Sequence, residues 1–300
     1  MLALKPLELS DRSWVEPLLA AEASRSAGYT FGTLYLWAPM WRQVAARVLD
    51  RLVVRYQSDG TEYFAYPPGK GPLIPVIEAM RDHAEAFGVP LKLIGVTNPQ
   101  RAALEALLPG CFRFEEDRNG FDYLYSVEKL ATLSGKKLHG KRNHCNRFEQ
   151  DYDWHFEALE PRHFPAVLDL LQEWNKNAPE SVSTQAEWEA VCRAVDGYAQ
   201  LEMEGGMLFV EDTPVAFTMA SKGYRSTMDV HFEKAREDYP GSYAMINREF
   251  ARMVHRKYPQ LHYLNREEDM GIPGLRKAKE SYHPACMVQK YTAFWQEDEA

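Results

Sequence analysis

The chain has 300 residues, of which 45% are hydrophobic and 26% charged, and its formal net charge at pH 7 is -8. This composition excludes long disorder and fits one large domain or two of ordinary size. The acidic balance argues against indiscriminate nucleic-acid binding, which needs a broad positive surface, and leaves a local patch free to attract an anion.

In chain order, residues 7–19, "LELSDRSWVEPLL", read as a strand end, a capping Ser10 or Asp11 and an amphipathic helix. Strand patterns follow at "RLVVRYQ" and "EYFAYP". A turn "PGKGP", a helix through "LIPVIEAMRDHAEAFG", a strand "LKLIG", a helix near 98–108 and a strand "FDYLYSV" complete this passage.

Next comes a basic segment, "KKLHGKRNHCNRF", at 136–148. Leu138, Cys145, Phe148 and Tyr152 recur at helical spacing and form one apolar stripe, so the outward faces carry Lys137, Lys141, Arg142, His144 and Arg147. The segment predicts a local anion-docking helix, with Lys141 and Arg142 as its binding residues. The competing readings are a solvated face neutralised by Glu149, Glu115 and Glu116, a nuclear-localisation look-alike and a membrane-surface patch.

Residues 159–171, "LEPRHFPAVLDLL", then repeat the design of residues 7–19. Helices near 162–176 and 184–197, a hairpin "GMLFVEDTPVAFTMAS" and a strand "STMDVHFEKA" follow. A helix from Ser242 to Lys257, a strand "LHYLN", a helix near 274–281 and a strand "MVQKYTAF" close the chain. The shared order predicts a duplicated α/β unit with a boundary near 127–135, giving domains 1–130 and 131–300.

Alternation in "STMDVHFEKA" places Thr227, Asp229, His231 and Glu233 on one strand face. Such a polar face lines either solvent or a cleft. Gly241 and Ser242, with Arg236 ahead of them, open a helix whose free N–H groups suit an anion, although a plain helix cap reads the same way. Arg276 and Lys279 follow the acids of "NREEDMGIPGLRKAKESYHP" on a short helix. They steady a phosphate or oxyanion, or else pair with those acids.

The second passage, ordered as strand, two helices, three strands, helix, strand, helix, strand, resembles the GNAT acyltransferase fold. With "FGTLYLW", the stretches "FDYLYSVEKLATLSGKKLHGKRNHCNRF", "GSYAMINREFA" and "YLNREEDMGIPGLRKAKESYHP" resemble the bacterial family named after the C-terminal domain of phosphatidylglycerol lysyltransferase, over essentially the whole chain. This resemblance implies an α/β (α+β) architecture of tandem GNAT-like domains, similar to the Fem peptidyltransferases. Each domain would be a mixed, mostly antiparallel sheet flanked by helices, with the active cleft in the second.

The activity so implied is aminoacyl transfer from aminoacyl-tRNA, a tRNA partner, to an amine or hydroxyl on a small molecule or headgroup. Glu233 and His231 are then the candidate bases, and Tyr282 occupies the place of a tyrosine that protonates the leaving group. The alternative donor is acetyl-CoA, for an N-acetyltransferase. Against it, Arg236 stands five residues before Gly241, Pro240 intervenes, and Tyr243 replaces the second small residue of the pyrophosphate loop. A third reading is a non-catalytic ligand- or RNA-binding protein on the same scaffold.

No apolar run approaches the roughly 18 residues of a membrane span, and "MLALKPLELSDRSW" lacks a signal-peptide pattern, so the chain reads as cytoplasmic, without the membrane domain of the lipid-modifying enzyme. Cys111, Cys145, Cys192 and Cys286 form no CxxC, and HExxH, Walker and Gly-x-Ser-x-Gly motifs are absent. Neither a disulfide framework nor a metal site is expected.

Overall fold

The computed structural model of the chain describes residues 1–58, 60–177 and 182–296. Helices α1 (Arg12–Glu22) and α2 (Phe31–Leu36) lead into strands β1 (Val44–Val48), β2 (Arg51–Ser58) and β3 (Thr61–Ala65). Helix α3 (Leu73–Ala86), β4 (Lys92–Thr97), α4 (Asn98–Leu107) and β5 (Phe112–Glu116) follow. After β6 (Asp122–Ser126) come α5 (Val127–Thr132), α6 (His139–Asp151), β7 (Trp154–Ala158), α7 (Phe164–Asn177) and α8 (Val182–Asp196). The chain continues through β8 (Glu204–Val210), β9 (Thr213–Lys222), β10 (Thr227–Ala235), α9 (Ser242–Lys257), β11 (Tyr263–Asn265), α10 (Pro273–Glu280), β12 (Cys286–Val288) and β13 (Lys290–Trp295).

Among the described residues the strands form two sheets, ordered β1-β2-β3-β4-β13-β5 and β12-β6-β11-β10-β9-β8-β7. Each contains one parallel pair, β3 with β4 and β10 with β11, and each of these pairs is joined by a single helix, α3 or α9. The duplication expected from sequence is thus present as two mixed, mostly antiparallel sheets flanked by helices. No helix among the described residues is long and apolar enough to cross a membrane.

The division of the chain differs from a single cut at 130/131. One compact unit comprises Met1–Asp122, Glu268–Gly271 and the stretch from Val288, while the other comprises Tyr123–Glu267 and Ile272–Met287. The reason is strand placement. "FDYLYSV", read from sequence as the end of the first half, becomes β6 and pairs with β11 in the second sheet (Leu264 opposite Tyr125). "MVQKYTAF", read as one strand, breaks at Gln289, and its second part inserts as β13 between β4 and β5 of the first sheet. Periodicity reports that a segment is extended and half-buried, and carries no information on which sheet receives it.

The returning strand is secured by charge. Lys290 Nζ donates to Asp122 Oδ1 at 2.7 Å and to Glu268 Oε2 at 3.4 Å, with the lysine and aspartate side chains 8% and 0% exposed. Burial works against the ammonium, but the two carboxylates outweigh it and hold its pKa above the ordinary lysine value.

Lys290→Met leaves the buried Asp122 carboxyl without its ammonium partner, and equilibrium urea unfolding should show a loss of about 3–5 kcal/mol. Combining it with Asp122→Asn should recover part of that loss, because no unpaired buried acid then remains.

Candidate active site

Strand β11 pairs with β10 only as far as Asp229 opposite Asn265, so among the described residues Val230–Ala235 have no strand beside them on that edge. A bulge between Val230 and Phe232 also shifts the pairing with β9: Asp229 opposes Ser221, whereas Glu233 opposes Thr218. Ser221 and Thr218 lie on opposite faces of β9, so the extra residue in β10 reverses the alternation. The single polar face expected for Thr227, Asp229, His231 and Glu233 therefore does not form. Glu233 turns towards α9, and His231 bonds to Ser221 on the other side.

On the α9 side, Glu233 Oε1 accepts from Arg266 Nη2 at 2.7 Å, and Glu233 Oε2 accepts from Asn247 Nδ2 at 3.4 Å. The Glu233 and Arg266 side chains are 7% and 16% exposed. Arg266 follows β11 directly, and its guanidinium stands 5.1 Å from the ring centre of Tyr282 and 5.8 Å from that of Tyr125. Lys141 places its ammonium 4.0 Å from the same Tyr282 ring. Two cations thus meet at one tyrosine ring, and of the two Arg266 pairs with Glu233. Among the described residues, Arg266 Nη1 and Asn247 Oδ1 are buried without a hydrogen-bond partner, an open donor and acceptor beside the ion pair.

The electrostatics follow from this enclosure. Burial pushes the Tyr282 phenol well above its usual pKa, and Arg266 offsets that only in part, so the hydroxyl keeps its proton across the physiological range. Burial, joined by repulsion from Arg266, holds the Lys141 ammonium below its ordinary value. Burial also opposes the charge on Arg266, but Glu233 and the tyrosines outweigh it.

Lys279, expected to bind an anion, is buried and donates from Nζ to the carbonyl oxygens of Arg266 and Glu267, fixing the backbone that presents the guanidinium. Tyr125 Oη in turn donates to the Lys279 carbonyl at 2.8 Å. Arg276 lies half-buried on α10, one turn ahead of Lys279. The basic helix is α6, with Leu138, Cys145 and Phe148 buried as its stripe predicts. Its two candidate cations separate: Lys141 enters the cluster, while Arg142 Nη1 donates to the Leu133 carbonyl at 2.6 Å and caps the preceding turn.

Arg236 is engaged by both oxygens of Asp238 and by Glu173. Gly241 has φ +99°, and a Cβ there would come within 2.9 Å of the His144 carbonyl, so the glycine permits α9 to start hard against α6. Ser242 Oγ donates to the Arg236 carbonyl at 3.0 Å. His231, the remaining candidate, accepts or donates between Ser221 Oγ (2.8 Å from Nε2) and Glu267 Oε1 (2.9 Å from Nδ1). No group of three His, Cys, Asp or Glu among the described residues is placed to hold a metal.

Arg266, Asn247 and Tyr125 are the members of the cluster that sequence reasoning misses. Arg266 lies inside the quoted "NREED", where the acids draw the eye; its position one residue past a short strand is the available signal.

The model of the family described as "Phosphatidylglycerol lysyltransferase, C-terminal" matches residues 20–294, and the chain belongs to that family. A conserved protein of unknown function from Bacteroides thetaiotaomicron VPI-5482 is 36% identical, with TM-score 0.90 over 99% of this chain and 100% of that one. L-PGS from Bacillus licheniformis has TM-score 0.69 at 16% identity, covering 100% of this chain and 95% of that one. FemX has TM-score 0.60 at 9% identity over 98% of each. At those low identities the likeness is one of fold, that of tandem GNAT-like units. An uncharacterised protein of Mycoplasmoides gallisepticum (strain R(low / passage 15 / clone 2)) is 28% identical over 179 residues, 57% of this chain, and the match spans about half of that relative, 54%.

The depressed Lys141 pKa has a signed consequence. The unfolded chain binds that proton more tightly, so the lysine penalises folding below its folded pKa and ceases to do so above the ordinary lysine value of 10.5. Urea unfolding of Lys141→Met and wild type should show the variant's relative stability falling as pH rises from 7 through 10.5, whatever the constant offset from lost contacts.

Proposed function

We propose that this member of the phosphatidylglycerol lysyltransferase C-terminal family transfers an aminoacyl group from aminoacyl-tRNA to an amine or hydroxyl acceptor at the cluster of Glu233, Arg266, Tyr282 and Lys141. The observation that carries this reading is the Arg266 Nη1 donor, buried and unpartnered beside a buried tyrosine that retains its proton.

Attack on the ester carbonyl converts its oxygen into an oxyanion. Arg266 Nη1 supplies a preorganised donor for that charge, and Lys141 adds a second cation at the same ring. Glu233 keeps Arg266 aimed and accepts the proton shed by the acceptor. Tyr282 donates its proton to the departing ribose oxygen, and the two adjacent cations stabilise the tyrosinate until the proton on Glu233 replaces it. Asn247 Oδ1 is an acceptor suited to the ammonium of the aminoacyl group.

Acetyl-CoA as donor is the second reading. Its support is the GNAT-like fold. What weighs against it is the start of α9, where Arg236 is already paired with Asp238 and Glu173 and Gly241 is packed on α6.

The test uses total tRNA charged with a mixture of radiolabelled amino acids, and labelled acetyl-CoA in a parallel reaction, each with a pool of amines and lipid headgroups. Label should leave tRNA for an acceptor, with Tyr282→Phe slowing transfer about 10²–10⁴-fold. Arg266→Ala should slow it about 10²–10³-fold, as for loss of an oxyanion donor. Transfer from acetyl-CoA alone, or aminoacyl transfer indifferent to both substitutions, would overturn the reading.

A further inference from the structure

The cluster above leaves one arrangement unused on the opposite face of the second sheet. Ser221 Oγ lies 2.8 Å from His231 Nε2, and His231 Nδ1 lies 2.9 Å from Glu267 Oε1. A carboxylate accepts only, so Nδ1 carries a hydrogen, and in the neutral imidazole Nε2 is then the acceptor for the Ser221 hydroxyl proton. This is the connectivity of a nucleophile, its base and the carboxylate that orients the base.

We propose that Ser221, His231 and Glu267 form a second catalytic centre, in which Ser221 takes an acyl group from an activated ester.

Three features fit this assignment better than a plain core network. The register of β10 on β9 shifts between Val230 and Phe232, and His231, at that bulge, bonds across to Ser221. Glu267 sits at φ +56°, a left-handed conformation uncommon for a glutamate, and it is held there from several directions. Its N–H donates to Asn265 Oδ1 at 2.8 Å, and its carbonyl accepts from Lys279 Nζ and from the Tyr123 N–H. The cluster also lies at the end of β9, next to the 223–226 turn; Ser221 and the His231 side chain are buried, at 4% and 0% exposure, and the 18% exposed Glu267 side chain is the member that reaches solvent.

In the first step Ser221 Oγ bonds to the ester carbonyl carbon and its proton passes to His231 Nε2. As the carbon–oxygen bond to the leaving group breaks, His231 returns that proton to the departing alkoxide. Acyl-Ser221 and a free alcohol remain. Water or an acceptor amine then attacks the acyl carbon, gives its proton to His231, and Ser221 leaves with that proton restored. No oxidant, reductant or metal is consumed.

This centre does not depend on aminoacyl-tRNA as donor, because any activated ester or fluorophosphonate reports on Ser221. The full-length protein is treated with a fluorophosphonate probe and, separately, with p-nitrophenyl acetate, and modification is located by peptide mass. Label is expected on Ser221 in wild type and absent in Ser221→Ala. Glu267→Gln should slow it about 10⁴-fold, as expected when the orienting carboxylate is lost. Because His231 is buried, His231→Gln accompanies it, with thermal unfolding confirming that each variant is folded. No modification of wild type by either probe overturns the proposal, as does label that persists in Ser221→Ala or is indifferent to Glu267→Gln. Failure here with intact aminoacyl transfer removes the second centre alone, whereas labelled Ser221 without aminoacyl transfer removes the function proposed for the first.

Discussion

A guanidinium drawn beneath a protein surface keeps its proton, so it must be met there by a carboxylate, and the Arg266–Glu233 pair is where the second unit meets that demand. Much of the local architecture serves it. The bulge in β10 is what turns Glu233 towards α9, the early end of β11 is what frees Arg266 to reach across, and Lys279 ties down the two carbonyls on either side of the junction. Lys141, from α6, brings a second cation beside Arg266 at the Tyr282 ring.

The same three-residue stretch, Asn265 to Glu267, feeds both faces of the sheet. Arg266 goes to Glu233 on one side and Glu267 goes to His231 on the other. A backbone that must deliver two charged side chains in opposite directions without slack explains why it is restrained by a side-chain amide, a buried ammonium and a neighbouring strand at once. The chain's family membership accounts for the scaffold; what chemistry runs on it is decided by these side chains.

Sequence patterning reached the elements whose physics is local. Helix α9 begins and ends where a Gly-Ser start and a basic end place it, and the apolar stripe of α6 faces the core as its spacing requires. Lys141 and Tyr282 were also within reach, since one lies on an outward helical face and the other sits in a stretch that carries the family resemblance. The bulge was not. Its sequence, "MDVHFEK", alternates faultlessly, and the reversal of faces arises only from the pairing with β9. Arg142 and Arg236 look like Lys141 in sequence but spend their donors on a carbonyl and on carboxylates, a difference set by what happens to fold beside them.

The insertion of β13 between β4 and β5 has a consequence for biosynthesis. The first sheet cannot be zipped shut when its own half of the chain leaves the ribosome, because the strand that separates β4 from β5 is encoded some 170 residues later, at Lys290–Trp295. Until then β5 has no ladder partner in that sheet and β4 has one open edge, exposed for the time it takes to translate the second unit. The nascent first unit therefore carries an unpaired strand edge until the second unit has been translated.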